Sequence, residues 1–460
     1  MQTEQGLIEK MLAVRPSERQ LAWQTLEFYA FVHFGMNTMY DREWGDGTED
    51  PKRFNPSHLD TDQWCQSLKA AGMKGVILTA KHHDGFCLWP TETTTHSVAY
   101  SPYKKDIVGQ LAASCQRFGL RLGLYLSPWD RHEACYGSEA YNDFFVAQLR
   151  ELLSNYGELF CVWFDGACGE GPNGRRQTYD WDRYYAEIRR LQPQAVISIC
   201  GPDVRWCGNE AGICREQEWS VVPASLRDNE RIQKDSQQAD DTAFRERIPS
   251  RSEDLGSRAR LRERLAMGED LCWYPAEVDC SLRPGWFYHE KENDKLRSFE
   301  NLQQLYLASV GGNASLLLNV SPAPDGLLAA ADVARLQAFG EWLQTTFAQP
   351  LVAADASSQC AEASATTGGQ VACYQLEAGE AISARYLLLA EDIRQSQRIE
   401  QYRLSTAQSA EGPFEVLVEG KTVGYKRILA LPEEDQAARY WRLEILACRG
   451  EPHLTRFELY

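Results

Sequence analysis

The stretch "ELFCVWFDGACGE" places a carboxylate where chemistry is possible. Residues 159–164 are all apolar or aromatic, as expected of a central strand that is covered on both faces. The run ends at Asp165, and the small residues Gly166 and Ala167 follow it. Two roles are open to this carboxylate: it caps the next helix, or it points into a pocket as a reactive group.

Polar and aromatic side chains end the neighbouring strand-like runs as well. They are His33 in the first run, His82, His83 and Asp84 in the second, Tyr125 in the third, Trp163 in the fourth and Glu210 in the loop "CGPDVRWCGNEAG" after the fifth. This set suits a small ligand that is rich in hydroxyl groups, because these side chains hydrogen-bond to hydroxyls. A structural role for each histidine and a metal site are the alternatives. His82 and His83 face opposite sides of an extended strand, and no common zinc spacing occurs.

These residues need a scaffold, and the sequence predicts a parallel sheet. Strand-like runs alternate with amphipathic, helix-like stretches and recur about 35–45 residues apart. The alternation predicts an α/β fold, with a (β/α)8-like barrel over residues 1–350 whose strand ends carry the site. Residues 351–460 have short β-rich runs between turns and predict an antiparallel β-sandwich. The densely charged residues 215–264 are interpreted as an inserted loop or solvated helix, not as a binding module.

Composition and charge exclude several classes of partner. The chain of 460 residues has 48 Lys and Arg against 65 Asp and Glu, and this net charge of −17 argues against nucleic acid and anionic membrane. No apolar run is long enough to span a bilayer. Residues 1–20 lack the pattern of a signal peptide, so a cytoplasmic location is expected. The 14 scattered cysteines are typical of a protein with reduced thiols.

Several motifs taken together resemble one enzyme family. They are "FVHFGMNT", "EWG", "TAKHHDGFCLWPT", "GLYLSPWD", "VWFDGA", "GWFYHEK" and "NASLLLNVSP", and they run from about residue 30 to residue 322. They are similar to motifs of the retaining α-L-fucosidases of glycoside hydrolase family 29, and the barrel-plus-sandwich layout is similar too. The resemblance implies removal of terminal fucose from a fucosylated oligosaccharide or glycan, with no metal and no organic cofactor.

The resemblance also implies roles for individual residues. Asp165 matches the catalytic nucleophile, and Gly166 is then expected to leave room for the sugar. The positions that match those holding the fucose hydroxyls and ring are His33, Glu43, Trp44, His82, His83, Tyr125 and Trp163. Trp286 in "RPGWFYH" resembles the aromatic side chain that packs on the fucose methyl group.

The acid/base has two candidates. Glu210 in "WCGNEAG" resembles the acid/base of the branch that cleaves α-1,3- and α-1,4-linked fucose, in a loop expected to follow strand five. Glu277 in "YPAEVD", expected at a later strand end, is the alternative acid/base or a substrate-binding residue. A fucosidase of broad specificity, an inactive sugar-binding protein and a metal-dependent hydrolase are the alternative functions. The sequence leaves the oligomeric state open.

Overall fold

The computed structural model describes residues 4–236, 253–355, 358–359, 372–432 and 437–460. The first part of the chain forms a parallel sheet wrapped in helices, and the last part forms two antiparallel sheets. The predicted barrel followed by a β-sandwich is therefore confirmed. Within these ranges, no helix has the length and apolar character needed to cross a membrane.

Ten strands of the described chain precede the sandwich. They are β1 (Phe28–Val32), β2 (Gly75–Lys81), β3 (Arg121–Leu126), β4 (Leu159–Phe164), β5 (Val196–Ile199), β6 (Arg205–Trp206), β7 (Val221–Pro223), β8 (Leu271–Trp273), β9 (Ala276–Ser281) and β10 (Ser315–Asn319). Eight of them form one parallel sheet in the order β5-β4-β3-β2-β1-β10-β9-β6. A parallel bridge between Ser198 and Val204 links the two ends of this order, so the barrel is nearly closed.

Two features of the sheet differ from the sequence prediction. β6 has only two residues, too few for a periodic pattern, so the loop with Glu210 follows the sixth barrel strand and not the fifth. The run "EDLCWYPAEVD" forms two strands, β8 and β9, which are separated by Tyr274 and Pro275. Proline has no amide hydrogen for a sheet ladder. The break makes Glu277 the second residue of β9 and not the end of a strand.

Alternation along the buried strands sorts their side chains into two layers. Tyr29 and Phe31 of β1 and Trp163 of β4 belong to the cluster inside the barrel, whereas their chain neighbours join the outer core beneath the helices. A strand presents every second residue to the same face. The inward register therefore continues to His33 after β1 and to Asp165 after β4.

Eleven helices of the described chain cover the barrel and its loops. They are α1 (Glu4–Ala13), α2 (Glu18–Gln24), α3 (Met36–Tyr40), α4 (Thr61–Ala70), α5 (Ile107–Phe118), α6 (Glu139–Asn155), α7 (Trp181–Leu191), α8 (Asn229–Asp235), α9 (Arg258–Ala266), α10 (Phe299–Ser309) and α11 (Ala330–Phe347). Local sequence defines the ends of α5: Asp106 accepts from the Gly109 amide at 2.8 Å, and Gly119 ends the helix with a φ of 71°. These signals set where β3 begins.

The sandwich has eight described strands in two sheets. They are β11 (Val352–Ala353), β12 (Ala372–Ile382), β13 (Tyr386–Glu391), β14 (Ile399–Ala407), β15 (Glu415–Gly420), β16 (Arg427–Ala430), β17 (Ala438–Cys448) and β18 (Leu454–Leu459). The strand orders are β11-β18-β13-β16 and β12-β17-β14-β15. The sheets enclose a core of their own. Lys426 contacts Glu27 at 2.5 Å, and the Ser220 amide donates to Gln397 at 2.8 Å, so polar contacts join the sandwich to the barrel side.

The charged region 215–264 is more than a solvated insertion. Its described part contributes β7, α8 and most of α9, and residues 237–252 lie outside the described ranges. A buried ion pair between Glu218 and Arg205 anchors the region to β6. Ser236, at the end of α8, lines the cavity at the barrel mouth. The described part of the region thus contributes one residue, Ser236, to the cavity, and the interpretation that it is not a binding module stays a prediction.

Candidate active site

A cavity opens at the carboxyl ends of the barrel strands. Its lining consists of Phe31, His33, Trp44, His82, His83, Tyr125, Trp163, Asp165, Gly166, Ala167, Ile199, Trp206, Glu210, Ser236, Asp279 and Trp286. The structure thus brings together the site residues predicted from the sequence except Glu43, Glu277 and Asp84, which is buried and accepts from the Phe86 amide at 2.8 Å. The lining combines aromatic faces with imidazole and carboxyl groups, as a polyhydroxylated ligand requires.

Asp165 points into the cavity and is surrounded by hydrogen-bond donors. Its Oδ2 accepts from the Tyr125 hydroxyl at 3.0 Å, and its Oδ1 accepts from the Ala167 amide at 2.8 Å. The Gly166 amide is a third donor. Burial raises the pKa of Asp165, and these donors oppose the rise because they stabilise the carboxylate. The next helix, α7, has its own N-cap, so the capping role considered for Asp165 is wrong.

Two histidines have their tautomers fixed by partners behind them. His33 Nδ1 lies 2.8 Å from Asn319 Oδ1, and it must donate because the Asn319 amide nitrogen donates to the Trp286 carbonyl. His83 Nδ1 lies 2.7 Å from Ser127 Oγ, and it donates because that hydroxyl donates onward to a backbone carbonyl. In both rings Nε2 is left as an acceptor.

The third histidine has the opposite polarity. His82 Nδ1 accepts from Asn37 Nδ2 at 3.3 Å, so its Nε2 carries the proton. Burial lowers the pKa of His33 to about 4, lowers that of His83 to about 3, and lowers that of His82 well below its usual range. All three rings are therefore neutral at pH 7. A ligand meets one N–H donor and two nitrogen acceptors, a pattern that matches several hydroxyl groups.

Glu210 reaches the cavity from the loop that follows β6. Trp286 Nε1 donates to Glu210 Oε2 at 3.1 Å. The loop is folded around Asn209, whose Oδ1 accepts from the Ala211 amide at 3.0 Å and whose Nδ2 donates to the Ile213 carbonyl at 2.8 Å. This Asx turn directs the neighbouring carboxyl group toward the cavity.

Glu277 lies inside the barrel and not on the cavity wall. It is 0% exposed, Trp163 Nε1 donates to its Oε1 at 2.7 Å, and the Tyr29 hydroxyl donates to its Oε2. Burial raises its pKa to about 7, and the two donors oppose the rise. Both oxygens are thus engaged by the protein. The predicted position of Glu277 at a strand end is wrong, and the geometry makes it a support for the Trp163 ring.

Glu43 acts on the cavity from behind one of its aromatic walls. Its carboxylate accepts from the Trp286 amide at 2.8 Å and from the Phe287 amide at 3.1 Å. His289 Nε2 lies 2.8 Å from the same carboxylate, and its Nδ1 lies 2.5 Å from Asp41. Glu43 therefore braces the segment that holds Trp286, and a direct contact between Glu43 and a sugar remains only a prediction.

Histidine side chains are also potential metal ligands. Among the residues that the structure describes, no three or more His, Cys, Asp or Glu side chains are arranged to hold a metal ion. Each cavity histidine instead uses Nδ1 for a protein partner, as described above. The donor set therefore suits hydrogen bonding to a ligand.

The barrel that carries this cavity lies within a region that matches a known protein family. The family model described as alpha-L-fucosidase matches residues 17–346, which include every strand of the barrel. The chain belongs to the alpha-L-fucosidase family. This fucosidase is a glycoside hydrolase, and its substrate is a fucosylated glycoside.

Curated and solved relatives agree with this assignment. The fucosidase is 39% identical to alpha-L-fucosidase 1 of Arabidopsis thaliana over 97% of its own chain and 87% of the plant protein. It is 45% identical to a putative alpha-L-fucosidase from Bacteroides ovatus, with a TM-score of 0.87 over 100% of this chain and 76% of that one. A Ruminococcus gnavus fucosidase of glycoside hydrolase family 29, solved in complex with fucose, is 29% identical, with a TM-score of 0.78 over 97% and 95% of the two chains.

Five residues of the fucosidase cavity lining were missed from the sequence: Phe31, Ile199, Trp206, Ser236 and Asp279. Asp279 lies two residues after Glu277 in β9 and shares its inward face, so the alternation of the strand was a usable signal. Trp206 belongs to the two-residue strand β6, and Ser236 lies in the charged region 215–264. Neither position had a local pattern that indicated a pocket.

Gly166 serves a neighbour rather than the ligand. A Cβ at this position would lie 2.2 Å from Ser236 Oγ and 2.6 Å from Ser236 Cβ. The space beside the glycine is thus filled by Ser236. The expectation that Gly166 leaves room for the sugar is wrong, because Ser236 at the end of α8 occupies the space beside the glycine.

Proposed function

We propose that this fucosidase is an exo-acting, retaining enzyme that removes terminal α-1,3- or α-1,4-linked fucose from Lewis-type oligosaccharides by double displacement. The observation that carries the proposal is the position of Asp165, whose carboxylate enters the cavity with donors on both oxygens. Glu210 lines the same cavity as a second carboxyl group. Two carboxyl groups in one pocket are the usual equipment of a glycosidase.

The roles of the two acids follow from their donors. Asp165 has a hydroxyl and two amide donors, so it ionises first and attacks the anomeric carbon as the fucosyl–oxygen bond breaks. Glu210 gives its proton to the leaving oxygen. In the second step Glu210 takes a proton from water, and the water oxygen displaces Asp165.

The cavity walls supply recognition in this scheme. The Nε2 atoms of the three histidines offer both donors and acceptors to the fucose hydroxyls. Trp286 lies 5.2 Å from the His33 ring, centroid to centroid, and presents an aromatic face for the fucose methyl group. Glu43 holds the Trp286 backbone in place. The tight aromatic lining favours an exo mode, in which one terminal sugar is enclosed.

The preference for a branched substrate rests on the loops beside the cavity. Trp129 Nε1 donates to the Glu170 carbonyl at 3.0 Å, and the Arg131 guanidinium lies 5.4 Å from the Trp129 ring. These contacts join the loop after β3 to the loop after β4, where a galactose beside the fucose would lie. Asp130 is not available to a sugar, because it is buried and paired with Lys81 at 2.9 Å.

Trapping with azide tests the mechanism. Asp165→Ala should lose nearly all activity, and azide with an activated fucoside should give β-fucosyl azide. Glu210→Ala should lose most activity on natural glycans but keep more on substrates with a good leaving group, and azide should give α-fucosyl azide because it attacks the β-linked intermediate. Normal activity of Asp165→Ala contradicts the nucleophile, and the Glu210 pattern appearing in Glu277→Ala instead contradicts the acid/base.

A substrate panel tests the linkage. Lewis-type trisaccharides should give a higher kcat/KM than 4-nitrophenyl fucoside or α-1,2-linked fucose, because binding energy from the remote sugar is used in the transition state. Broad specificity has one observation in its favour: none of residues 129–132 is part of the described cavity lining. Equal or better hydrolysis of the aryl fucoside and the α-1,2 linkage would establish that alternative.

A further inference from the structure

Three carboxyl groups share the cavity with no cation on its walls. Asp165, Glu210 and Asp279 all line it, and no lysine or arginine is among its described lining residues. The three histidines are neutral, as argued above. Because these groups line one cavity and burial raises the pKa of both Asp165 and Asp279, ionisation of all three is disfavoured near pH 7. Asp165 accepts hydrogen bonds from Tyr125 and from two backbone amides, which favour its ionisation, so Glu210 and Asp279 are the groups left to hold a proton.

Asp279 is held on the inward face of β9. It is 4% exposed, and Trp206 Nε1 donates to its Oδ1 at 2.8 Å. Val278 and Cys280, its neighbours in the chain, belong to the outer core. The Asp279 side chain is therefore fixed in the cavity wall by its strand and by one indole, and the indole lies on the strand that leads to Glu210.

The charged and titratable groups around Asp279 are almost all acidic. Glu210 comes from the loop after β6, and Glu277 comes from β9, as Asp279 does. Cys207 and Cys280 are thiols whose pKa values are raised by burial and also by the Asp279 charge. Arg297, beside Cys280, donates to the Ser281 carbonyl at 2.7 Å. Burial, followed by the Glu210 and Glu277 charges, raises the pKa of Asp279 well above its usual range, and Trp206 opposes the rise.

We propose that Asp279 is a positioning residue for Glu210: the two carboxyl groups share one proton, and the pair keeps Glu210 able to protonate the leaving oxygen at neutral pH. The inference rests on the proposed role of Glu210. When the C1–oxygen bond breaks and the Asp165–C1 bond forms, the shared proton goes to the leaving oxygen. The pair then carries two negative charges, which makes Glu210 a strong base toward water in the second step.

Asp279→Asn separates this role from a structural one. The amide keeps the size and the acceptor for Trp206 but cannot ionise, so it no longer opposes ionisation of Glu210. The alkaline limb of kcat/KM against pH on a Lewis-type trisaccharide should move to lower pH by about one unit, since that limb reports the acid in the free enzyme. Above the limb, kcat/KM should fall about tenfold, whereas α-L-fucosyl fluoride, which needs little protonation, should be far less affected.

Trp206→Phe should move the same limb in the opposite direction. Removing the indole donor destabilises ionised Asp279, so the pair holds its proton to higher pH. Glu391→Gln is the matched control, because Glu391 is another buried carboxyl with a pKa raised to about 7, but it lies in the sandwich. The alkaline limb of kcat/KM should not move in Glu391→Gln. General damage to the fold could not produce shifts of opposite sign.

The results that would contradict the role of Asp279 differ from those that would contradict the proposed role of Glu210. An alkaline limb that stays in place in both Asp279→Asn and Trp206→Phe overturns the inference; if Asp279→Asn does not fold, the Trp206→Phe shift decides alone. Azide rescue of Asp279→Ala, with α-fucosyl azide as product, makes Asp279 the acid itself and also overturns it. If Glu210→Gln keeps the wild-type limb, it is the proposed role of Glu210 that fails.

Discussion

The two sides of the fucosidase cavity control the protonation of their carboxyl groups in different ways. One side, the donor-rich wall, consists of His33, His82, His83, Tyr125 and Asp165. The other side, the acidic wall, consists of Glu210, Asp279 and Trp206. On the donor-rich wall each polar group has a partner that fixes its proton, as Tyr125 does for Asp165 at 3.0 Å. On the acidic wall Trp206 donates to Asp279, Trp286 donates to Glu210, and the Glu210 charge acts on Asp279.

This difference in hydrogen-bond partners indicates which carboxyl groups can change charge during turnover. A carboxylate with several donors keeps its charge over a wide pH range, which suits a group that must attack. A pair of acids with few donors exchanges a proton readily, which suits a group that must give and then take one. In the proposed mechanism, the constant charge therefore lies after β4 and the variable proton lies between β6 and β9.

Tyr125→Phe should weaken the donor-rich wall most. Loss of a hydrogen bond to a charged group costs about 1.5–3 kcal/mol, so kcat/KM should fall about ten- to hundredfold. The pKa of Asp165 should rise, and because the proposed mechanism requires ionised Asp165, the acid limb of kcat/KM should move to higher pH. Tyr274→Phe is the control, since that buried hydroxyl donates to the Gly201 carbonyl at 2.8 Å outside the described cavity lining. An unmoved acid limb in Tyr125→Phe would contradict the comparison.

Glu43→Gln should have a smaller effect, because it acts through Trp286. A neutral amide holds the two backbone donors and His289 less strongly, so KM should rise several-fold while kcat changes little. The His289 pKa, which the Glu43 carboxylate raises, should fall in the variant and can be followed by NMR. Asp41→Asn is the matched control: it removes the other carboxylate on His289, and it should leave KM nearly unchanged. A loss confined to kcat would indicate direct catalytic contact by Glu43.

Glu277→Gln should change activity least and stability in a defined way. The folded pKa of about 7 lies above the ordinary value of 4.5, so the folded state binds the extra proton and loses stability as pH rises from about 4.5 to 7. Glutamine cannot ionise, and its amide can donate to Tyr29. Unfolding free energy measured across this range should therefore decline less in the variant than in the wild type. Activity lost and restored by azide would instead make Glu277 the acid/base.

The donor-rich wall was predictable from the sequence, and the acidic wall was only partly so. The long buried runs before His33 and Asp165 give both the strand and its inward face, because alternation is strict in a barrel. β6 has two residues and gives no periodic signal, which put Glu210 after the wrong strand. Pro275 hid the start of β9, so Glu277 was assigned to a strand end and Asp279 was missed.

The remaining differences between the sequence prediction and the structure involve residues that are distant in the chain but in contact in the fold. Glu43 and Trp286 are far apart in the chain, and only the folded structure makes one carboxylate the anchor of the other residue's backbone. Ser236 follows α8 within a charged region, and no feature of that region indicated contact with Gly166. Residue types predicted the chemistry of the cavity, whereas the supports behind it required the contacts themselves.

The contact between Gly166 and Ser236 has a consequence for the evolution and engineering of this fucosidase. A side chain at position 166 would occupy the place of the serine, and the serine hydroxyl has no hydrogen-bond partner among the described residues that would hold it elsewhere. The two positions should therefore covary among relatives, with alanine at 166 accepted only beside glycine at 236. A library that varies position 236 without regard to position 166 would sample mostly incompatible pairs.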